Sequence, residues 1–375
     1  MRILALTNLY PSPWLPERAP FNRQQFQVLA ALHPVRIIAP LAWTDELAAR
    51  LMRGVRLGAD RQVLNDGIAV SYPPYIFTPK TLISLYGHFL RYSVRPSFDR
   101  ALMEFRPDMV FATWAYPDGW AAVKLGHKAG LPVVVKVHGS DVYLLDEYPG
   151  RKQRTRKALH EADQVVALSQ DLAKRVIALG ASSDRVQVIR NVVDAAKFYP
   201  ASQSEARERL GLPAQSPIVL FVGNLVPLGI ELLVSASARL VAEKINFSCY
   251  LIGQGPSQLQ LEQQIRELGL ERTIHCLGSK SHDELPDWYR AADVVVLPSR
   301  SERPPNVLLE ALACGTRFVA SDVGGIPEIA DGDRGKLVPP NGVEALAKAM
   351  ISWGIQGIRV DQKTSRVLSL TRQSN

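Results

Sequence analysis

Cysteine is scarce: Cys249, Cys276 and Cys314 are the only three in 375 residues. An odd count with no Cys-x-x-Cys pair excludes a disulfide-framed scaffold and a zinc finger. Each thiol sits in or beside an apolar stretch, so reduced, buried thiols and a cytoplasmic location are the expectation. Long apolar runs are missing too. Those present, such as Val294–Leu297, are strand-sized, against the roughly 18 residues a spanning helix needs. After Arg2 only four apolar residues precede Thr7 and Asn8, too few for the apolar stretch of a signal peptide, so the N-terminus reads as a first strand. The sequence has no fixed-period repeat, no low-complexity tract and no His or Cys cluster at metal-ligand spacing.

What is present points to a globular chain: 47% hydrophobic and 21% charged residues supply enough apolar material for real cores. The length is too great for one ordinary core and suggests two domains of about 150 to 200 residues. Lys and Arg number 44 against 36 Asp and Glu, a net charge of +8. That balance favours phosphorylated or otherwise anionic partners. No nucleic-acid-binding motif accompanies it, so nucleic acid is not an expected partner.

Short β-branched runs alternate with segments of helical period. Strands are expected at 35–39, 109–113, 133–137 and 164–168, with helices at about 20–32, 81–105, 117–129 and 151–161. The alternation lapses after Asn191 and restarts at Ile218. Strands then recur at 218–222, 247–252, 273–277, 293–297 and 317–320, with helices near 230–244, 256–268, 283–290, 305–313 and 342–351. Strand, helix, strand in succession means right-handed crossovers and mostly parallel sheets. The expected fold is therefore α/β, two tandem Rossmann-like doubly wound domains with a ligand cleft between them. Their expected bounds are 1–195, a linker at 196–216, 217–352, and an irregular tail at 353–375.

The richest stretch is PSRSERPPNVLLEALACGTRFVASDVGGIPEI, Pro298 to Ile329. A strand ends at Leu297, a turn follows, and a helix begins near Pro305, where proline is tolerated in a first turn. The amides of Asn306, Val307 and Leu308 would then lie at a helix N-terminus suited to phosphate. Glu302 lies in the turn and Glu310 about one turn inside the helix, both within reach of ligand hydroxyls. VKVHGSDVY, Val135 to Tyr143, places a His and a Gly where a strand of the first domain opens toward the expected cleft. LIGQGP, 251–256, runs a strand into a Gly-x-Gly turn at Gly253. Gln258 stands where a dinucleotide fingerprint requires a third Gly, which counts against a nicotinamide-dependent dehydrogenase. Asp331-Gly332-Asp333 has the look of a metal-binding acid pair but reads as a solvent-facing turn, so no metal is expected.

Glu302 and Glu310 with seven residues between them, EALACGT, DVGGIPE and HGSD together resemble the signature of the GT-B-fold retaining glycosyltransferases of family 4, over about residues 1–350. The loop LYPSPWLPERAPFNRQQ resembles the family's N-terminal loop over the reacting centre. The resemblance implies transfer of a sugar from a UDP- or GDP-sugar to a hydroxyl of a growing cell-surface glycan or glycolipid, with no cofactor and no metal. By it, His138 and Glu302 orient the donor sugar as the catalytic pair and Glu310 holds the ribose hydroxyls. Asn306, Val307 and Leu308 receive the diphosphate, while Gly139, Ser140, Asn224 and Gly253 shape the pocket. Asp141 is expected to fix its loop and not to attack.

The sequence departs from the family pattern at several points. Where the pattern places a Lys before a Gly, here GNLVPLG (Gly223 to Gly229) is one residue shorter and has no Lys. Arg303 takes a usual Gly position, where its guanidinium either binds the phosphates or blocks the sugar pocket; Arg300 is a second candidate substitute. Ala19 and Val192 replace glycines, and Arg317 a proline. The departures leave a second expectation open, an impaired paralogue that binds nucleotide sugar or serves as a partner subunit. An epimerase on the same scaffold is disfavoured by the HGSD segment. Thr81 to Leu102 mixes Leu, Tyr and Phe with Arg91, Arg95 and Arg100, a composition that fits a peripheral contact with the inner face of a membrane and a core helix equally.

Overall fold

Runs of four or five Val, Ile and Leu residues become strands buried on both faces, as parallel sheets require; Ile3–Leu6, Ile218–Val222 and Val294–Leu297 are buried at every position. A computed structural model describes residues 1–13, 15–16, 18–53, 61–143, 145, 149–301, 305–330 and 332–355. The chain divides into two units, 1–190 and 191–375.

The first unit contains β1 (Ile3–Leu6), β2 (Val35–Ile38), β3 (Leu41–Ala42), β4 (Gln62–Asn65), β5 (Ile68–Ser71), β6 (Pro74–Tyr75), β7 (Met109–Thr113), β8 (Val133–Lys136), β9 (Gln164–Ala167) and β10 (Val186–Val188). Eight of them form one sheet in the order β10-β9-β8-β7-β1-β2-β5-β4, with β3 and β6 paired separately. All pairs in the large sheet are parallel except the β4–β5 hairpin. Leu4 pairs with Arg36 on one side and Val110 on the other, so strand order reverses at β1. Ligands of doubly wound sheets bind at such a switch point, beyond the carboxyl ends of the strands.

The second unit contains β11 (Ile218–Val222), β12 (Ser248–Ile252), β13 (Ile274–Gly278), β14 (Val294–Leu297), β15 (Arg317–Ser321) and β16 (Gly335–Val338). They form a parallel sheet in the order β13-β12-β11-β14-β15-β16, whose switch point lies between β11 and β14. Each unit is thus a Rossmann-like α/β layer structure.

Several elements fall outside the sequence expectation. The β4–β5 hairpin and β16 are additional strands, and Trp43–Arg53, Gln170–Ala178 and Gln203–Arg209 are additional helices. The last of these lies in the expected linker. Arg207 explains why it is ordered: only 5% exposed, it donates to the carbonyls of Ala291, Ala214 and Ser216 and pairs with Asp293 at 2.7 Å. Phe198 is also buried in the core of the second unit, so Phe198, Ala206 and Arg207 anchor the expected linker to that unit, and the units part at Arg190, ahead of the expected residue 195.

Ala19 adopts φ 50° and ψ 58°, the left-handed conformation that explains a glycine in the family pattern. Val192 does not share that fate: it is absent from the positive-φ residues and stands fully in solvent, so its turn differs from a glycine turn. The Tyr86–Glu104 helix buries Leu90, Val94, Phe98 and Ala101 against the first unit's core, so its apolar face is core. No helix among the described residues is long and apolar enough to cross a membrane. Ile351–Ile355 continues the preceding helix into the expected tail, which begins at residue 353, with Trp353 under the Arg317 guanidinium; residues 356–375 lie outside the described residues.

Candidate active site

In the first unit, chemistry gathers where β1, β7 and β8 end. Lys136 closes β8, and Val137, His138 and Gly139 lead into a short helix, Ser140–Tyr143. Gly139 sits at φ 105°, a value open to glycine, which lets the chain turn under the His138 ring. Asp141 is completely buried. One of its oxygens accepts the N–H groups of His138 at 3.0 Å and Gly139 at 2.8 Å, and the other accepts that of Ala115 at 2.8 Å. A carboxylate spent on three amides ties the β7 and β8 loops together, the loop-fixing role expected of it. Burial nevertheless pushes its pKa upward.

A second buried acid, Asp118, accepts the N–H of Asn8 at 2.6 Å and so ties the β1 loop to the β7 loop. Burial raises its pKa to about 8. Thr113 donates its hydroxyl to Thr7 at 2.5 Å, and Asn22 donates to Leu9 O and Thr113, closing the same seam. His138 is 5% exposed, with its ring 5.1 Å from Phe21 and stacked 6.0 Å from Trp114. Lys136 is also buried, donates to Gln25 Oε1 at 2.5 Å, and has its pKa lowered by burial to about 8.

In the second unit, β14 runs through Pro298 to the Asn306–Ala313 helix. Glu302, Arg303 and Pro304 lie outside the described residues, as does Asp331. The amides of Asn306 and Val307 have no intrahelical acceptor, being in the first turn. Leu308 differs from the expectation: its N–H donates to Pro305 O at 3.1 Å and is spent within the turn. The Asn306 side chain accepts from Asn191 at 2.8 Å.

Glu310 is largely buried and already gripped by protein. Tyr289 donates its hydroxyl to one oxygen at 2.7 Å, and His282 Nε2 lies 3.1 Å from the other. Lys197 Nζ stands 3.0 Å from His282 Nδ1 and also pairs with Asp283. An ammonium has no lone pair and can only donate, so Nδ1 accepts and Nε2 carries the proton toward Glu310. Burial, then the charge of Glu310, raises the Tyr289 pKa well above its usual value. Each Glu310 oxygen keeps a lone-pair site beyond its one donor among the described residues. Lys197, His282 and Tyr289 are absent from the sequence expectation, as are Asp118 and Trp114; they come from distant segments, and no spacing signals them.

Asn224 and Gly253 belong to adjoining loops after β11 and β12. Gly223 N–H donates to Ile252 O, and a β-carbon on Gly253 would fall 1.8 Å from Gly223 O. The shortened loop is closed by its own tight turns, Val226 N–H to Asn224 O and Leu228 N–H to Val226 O. Arg300 does not stand ready as a substitute cation. Its guanidinium is engaged by Glu231 at 2.5 Å, Asn341 at 2.7 Å and the carbonyl of Pro227.

Comparison with known proteins assigns one family description to each unit. Residues 22–197 match Glycosyltransferase Family 4 and residues 202–361 match Glycosyl transferases group 1. TuaC, assigned to teichuronic acid biosynthesis as a glycosyltransferase in Bacillus subtilis, is 29% identical over 94% of this chain and 89% of its own length. The D-inositol 3-phosphate glycosyltransferase of Mycolicibacterium smegmatis is 36% identical over 60% of this chain, a match spanning about half of that protein (52%). Among solved structures, sucrose-phosphate synthase from Thermosynechococcus elongatus superposes with a TM-score of 0.75 at 22% identity, over 94% of this chain and 89% of that one. Anabaena HepE, crystallised with UDP, gives 0.73 at 21% over the same shares. Those identities speak to the fold alone, which is GT-B. With matched units, matched order and the Glu310 and HGSD segments in place, the chain belongs to the group 1, family 4 glycosyltransferases.

Proposed function

We propose that the protein transfers a sugar from a nucleoside diphosphate sugar to a hydroxyl acceptor with retention of configuration, in the assembly of a cell-surface polysaccharide or glycolipid. The observation that carries the reading is Glu310, held on both oxygens by Tyr289 and His282 one turn inside a helix whose first two amides, Asn306 and Val307, have no intrahelical acceptor. A fixed carboxylate with a vacant lone-pair site on each oxygen suits the two adjacent hydroxyls of a ribose. Amides at a helix start suit the departing diphosphate. His138 and Glu302 orient the sugar, and Gly139, Ser140, Asn224 and Gly253 shape the approach. Acceptor attack comes from the face the diphosphate leaves, and a phosphate oxygen takes the proton, so the reading needs neither a side-chain nucleophile nor a metal. The HepE complexes with UDP and UDP-glucose support a uridine nucleotide as the first donor to try, and the TuaC assignment supports an envelope polymer.

Mass-detected transfer from a panel of UDP- and GDP-sugars tests it. Glu310→Ala and His138→Ala are each expected to lower turnover by about 100-fold or more; unchanged transfer in both variants would remove these assignments. A second reading, a nucleotide-sugar-binding paralogue without turnover, is favoured by one feature. The shortened Gly223–Gly229 loop offers no cation, and Arg300 is engaged elsewhere. Tight calorimetric binding of a nucleotide sugar with no transfer or hydrolysis would select it.

A further inference from the structure

A cavity of about 300 Å³ opens in the first unit among side chains that the reading above leaves without a role. Trp114, Tyr86 and Tyr116 give it aromatic walls, Arg18 and Arg151 bring guanidinium groups, and among the described residues no carboxylate lines it. Aromatic faces suit the C–H faces of a sugar or cyclitol ring. Guanidinium forks suit a carboxylate or phosphate, which they hold bidentately.

The state of the two arginines makes the cavity more than a basic dent. Arg151 Nε is shielded from solvent without a hydrogen-bond partner, and among the described residues no carboxylate pairs with Arg151. A donor atom shielded from water and left unsatisfied is costly even on a partly exposed side chain, and an incoming anion would relieve it. Arg18 has one ion pair among the described residues, a loose 3.6 Å contact with Asp45 whose partners are both solvent-accessible; such pairs are worth little and exchange readily. The nearby acid, Asp118, lies beneath the wall and is not part of it. Burial lifts its pKa to about 8, so it does not cancel the cationic lining at neutral pH. Trp114 lines the cavity and also stacks on His138, which places the cavity beside the group assigned to the donor sugar.

We propose that this cavity receives the acceptor, and that the acceptor is an anionic ring polyol, bearing a carboxylate or phosphate that Arg151 and Arg18 recognise while Trp114 and Tyr86 hold its ring. The assignment to an acceptor rests on the glycosyl-transfer reading.

The test uses the full chain, saturation-transfer NMR and three probes that share one ring: glucose, glucuronate and glucose 6-phosphate. At about 0.05 M salt, one or both anionic probes are expected to bind at least tenfold more tightly than glucose, a margin of the size a charged hydrogen-bonded contact gives. Which of the two prevails identifies the anion as carboxylate or phosphate. Arg151→Gln and Arg18→Gln are each expected to shrink the margin to about twofold or less, and Arg151→Lys to restore part of it. Thermal melts establish that each variant is folded, and two separate positions keep the test alive should one fail to fold. No binding by any probe, glucose binding as well as both anions, or a margin that survives both Gln variants overturns the proposal. A UDP titration on the wild-type chain separates the two claims. UDP binding without anion preference leaves the transfer reading standing and removes the anionic acceptor. Anion preference without UDP binding removes the acceptor assignment.

Discussion

At the scale of single residues, the candidate site depends on side chains that fix other side chains. Glu310 is useful to a ribose only if its carboxylate does not rotate, and Tyr289, with His282 on the other oxygen oriented by Lys197, supplies that constraint. Tyr289→Phe removes one donor to a buried carboxylate and is expected to cost about 1 to 3 kcal/mol of stability and to weaken UDP binding roughly tenfold. Calorimetry with UDP checks the second effect, and unaltered affinity would detach Tyr289 from the site. Asp118 yields a pH prediction. Its folded pKa of about 8 exceeds the ordinary 3.8, so the folded chain keeps a proton that the unfolded chain releases. Its contribution to stability is full below pH 4 and declines as pH rises toward 8. Asp118→Asn cannot titrate, so its melting temperature is expected to gain on the wild type between pH 5 and pH 8.5. Parallel curves would show that the carboxyl is ionised in the folded protein.

At the scale of elements, legibility followed from how local the cause is. The buried strands β1, β7, β8, β11 and β14 declare themselves in short β-branched runs, and the helix at Asn306 declares itself through the turn before it. The β4–β5 hairpin was readable in principle from Asp66-Gly67, whose positive φ angles form the tight reversal, but its flanking strands are half exposed and lack a strong apolar pattern. The Gln203–Arg209 helix owes its place to Arg207 reaching carbonyls up to 84 residues away, a cause no local window contains. The grip on Glu310 is invisible for the same reason. The loop at Gly223–Gly229 is the opposite case, legible as a deletion. Its closure is now explained by Gly229, at φ 125°, where a β-carbon would fall 1.9 Å from Pro298 O. Replacing Leu228 by Val-Lys lengthens the loop and restores a cation where the diphosphate is expected. If that loss alone limits the enzyme, transfer should rise by about 100 to 1,000-fold; steady-state rates with saturating donor decide it, and no gain would place the limit elsewhere.

At the scale of the whole molecule, the question is what a net charge of +8 does when no helix among the described residues is suited to cross a bilayer. The Tyr86–Glu104 helix spends Leu90, Val94, Phe98 and Ala101 on the core and leaves Tyr92 and Met103 exposed, so insertion of the buried face would require dismantling the first unit. What it offers a surface is charge, and part of that is cancelled: Arg95 pairs with Asp99 at 3.5 Å. Arg91 and Arg100 have no ion pair among the described residues, and at about 1 kcal/mol per basic residue near an anionic surface they support only weak, reversible attachment. Co-sedimentation with vesicles containing anionic lipid is therefore expected at about 0.05 M salt, to be lost by about 0.5 M as screening shortens to a few ångströms, and to be absent with zwitterionic lipid. Arg91→Glu with Arg100→Glu should abolish it. Attachment that persists in high salt would mean that apolar surface enters the lipid, beginning with the exposed Tyr92 and Met103, since Leu90, Val94 and Phe98 are buried and reach lipid only on local unfolding.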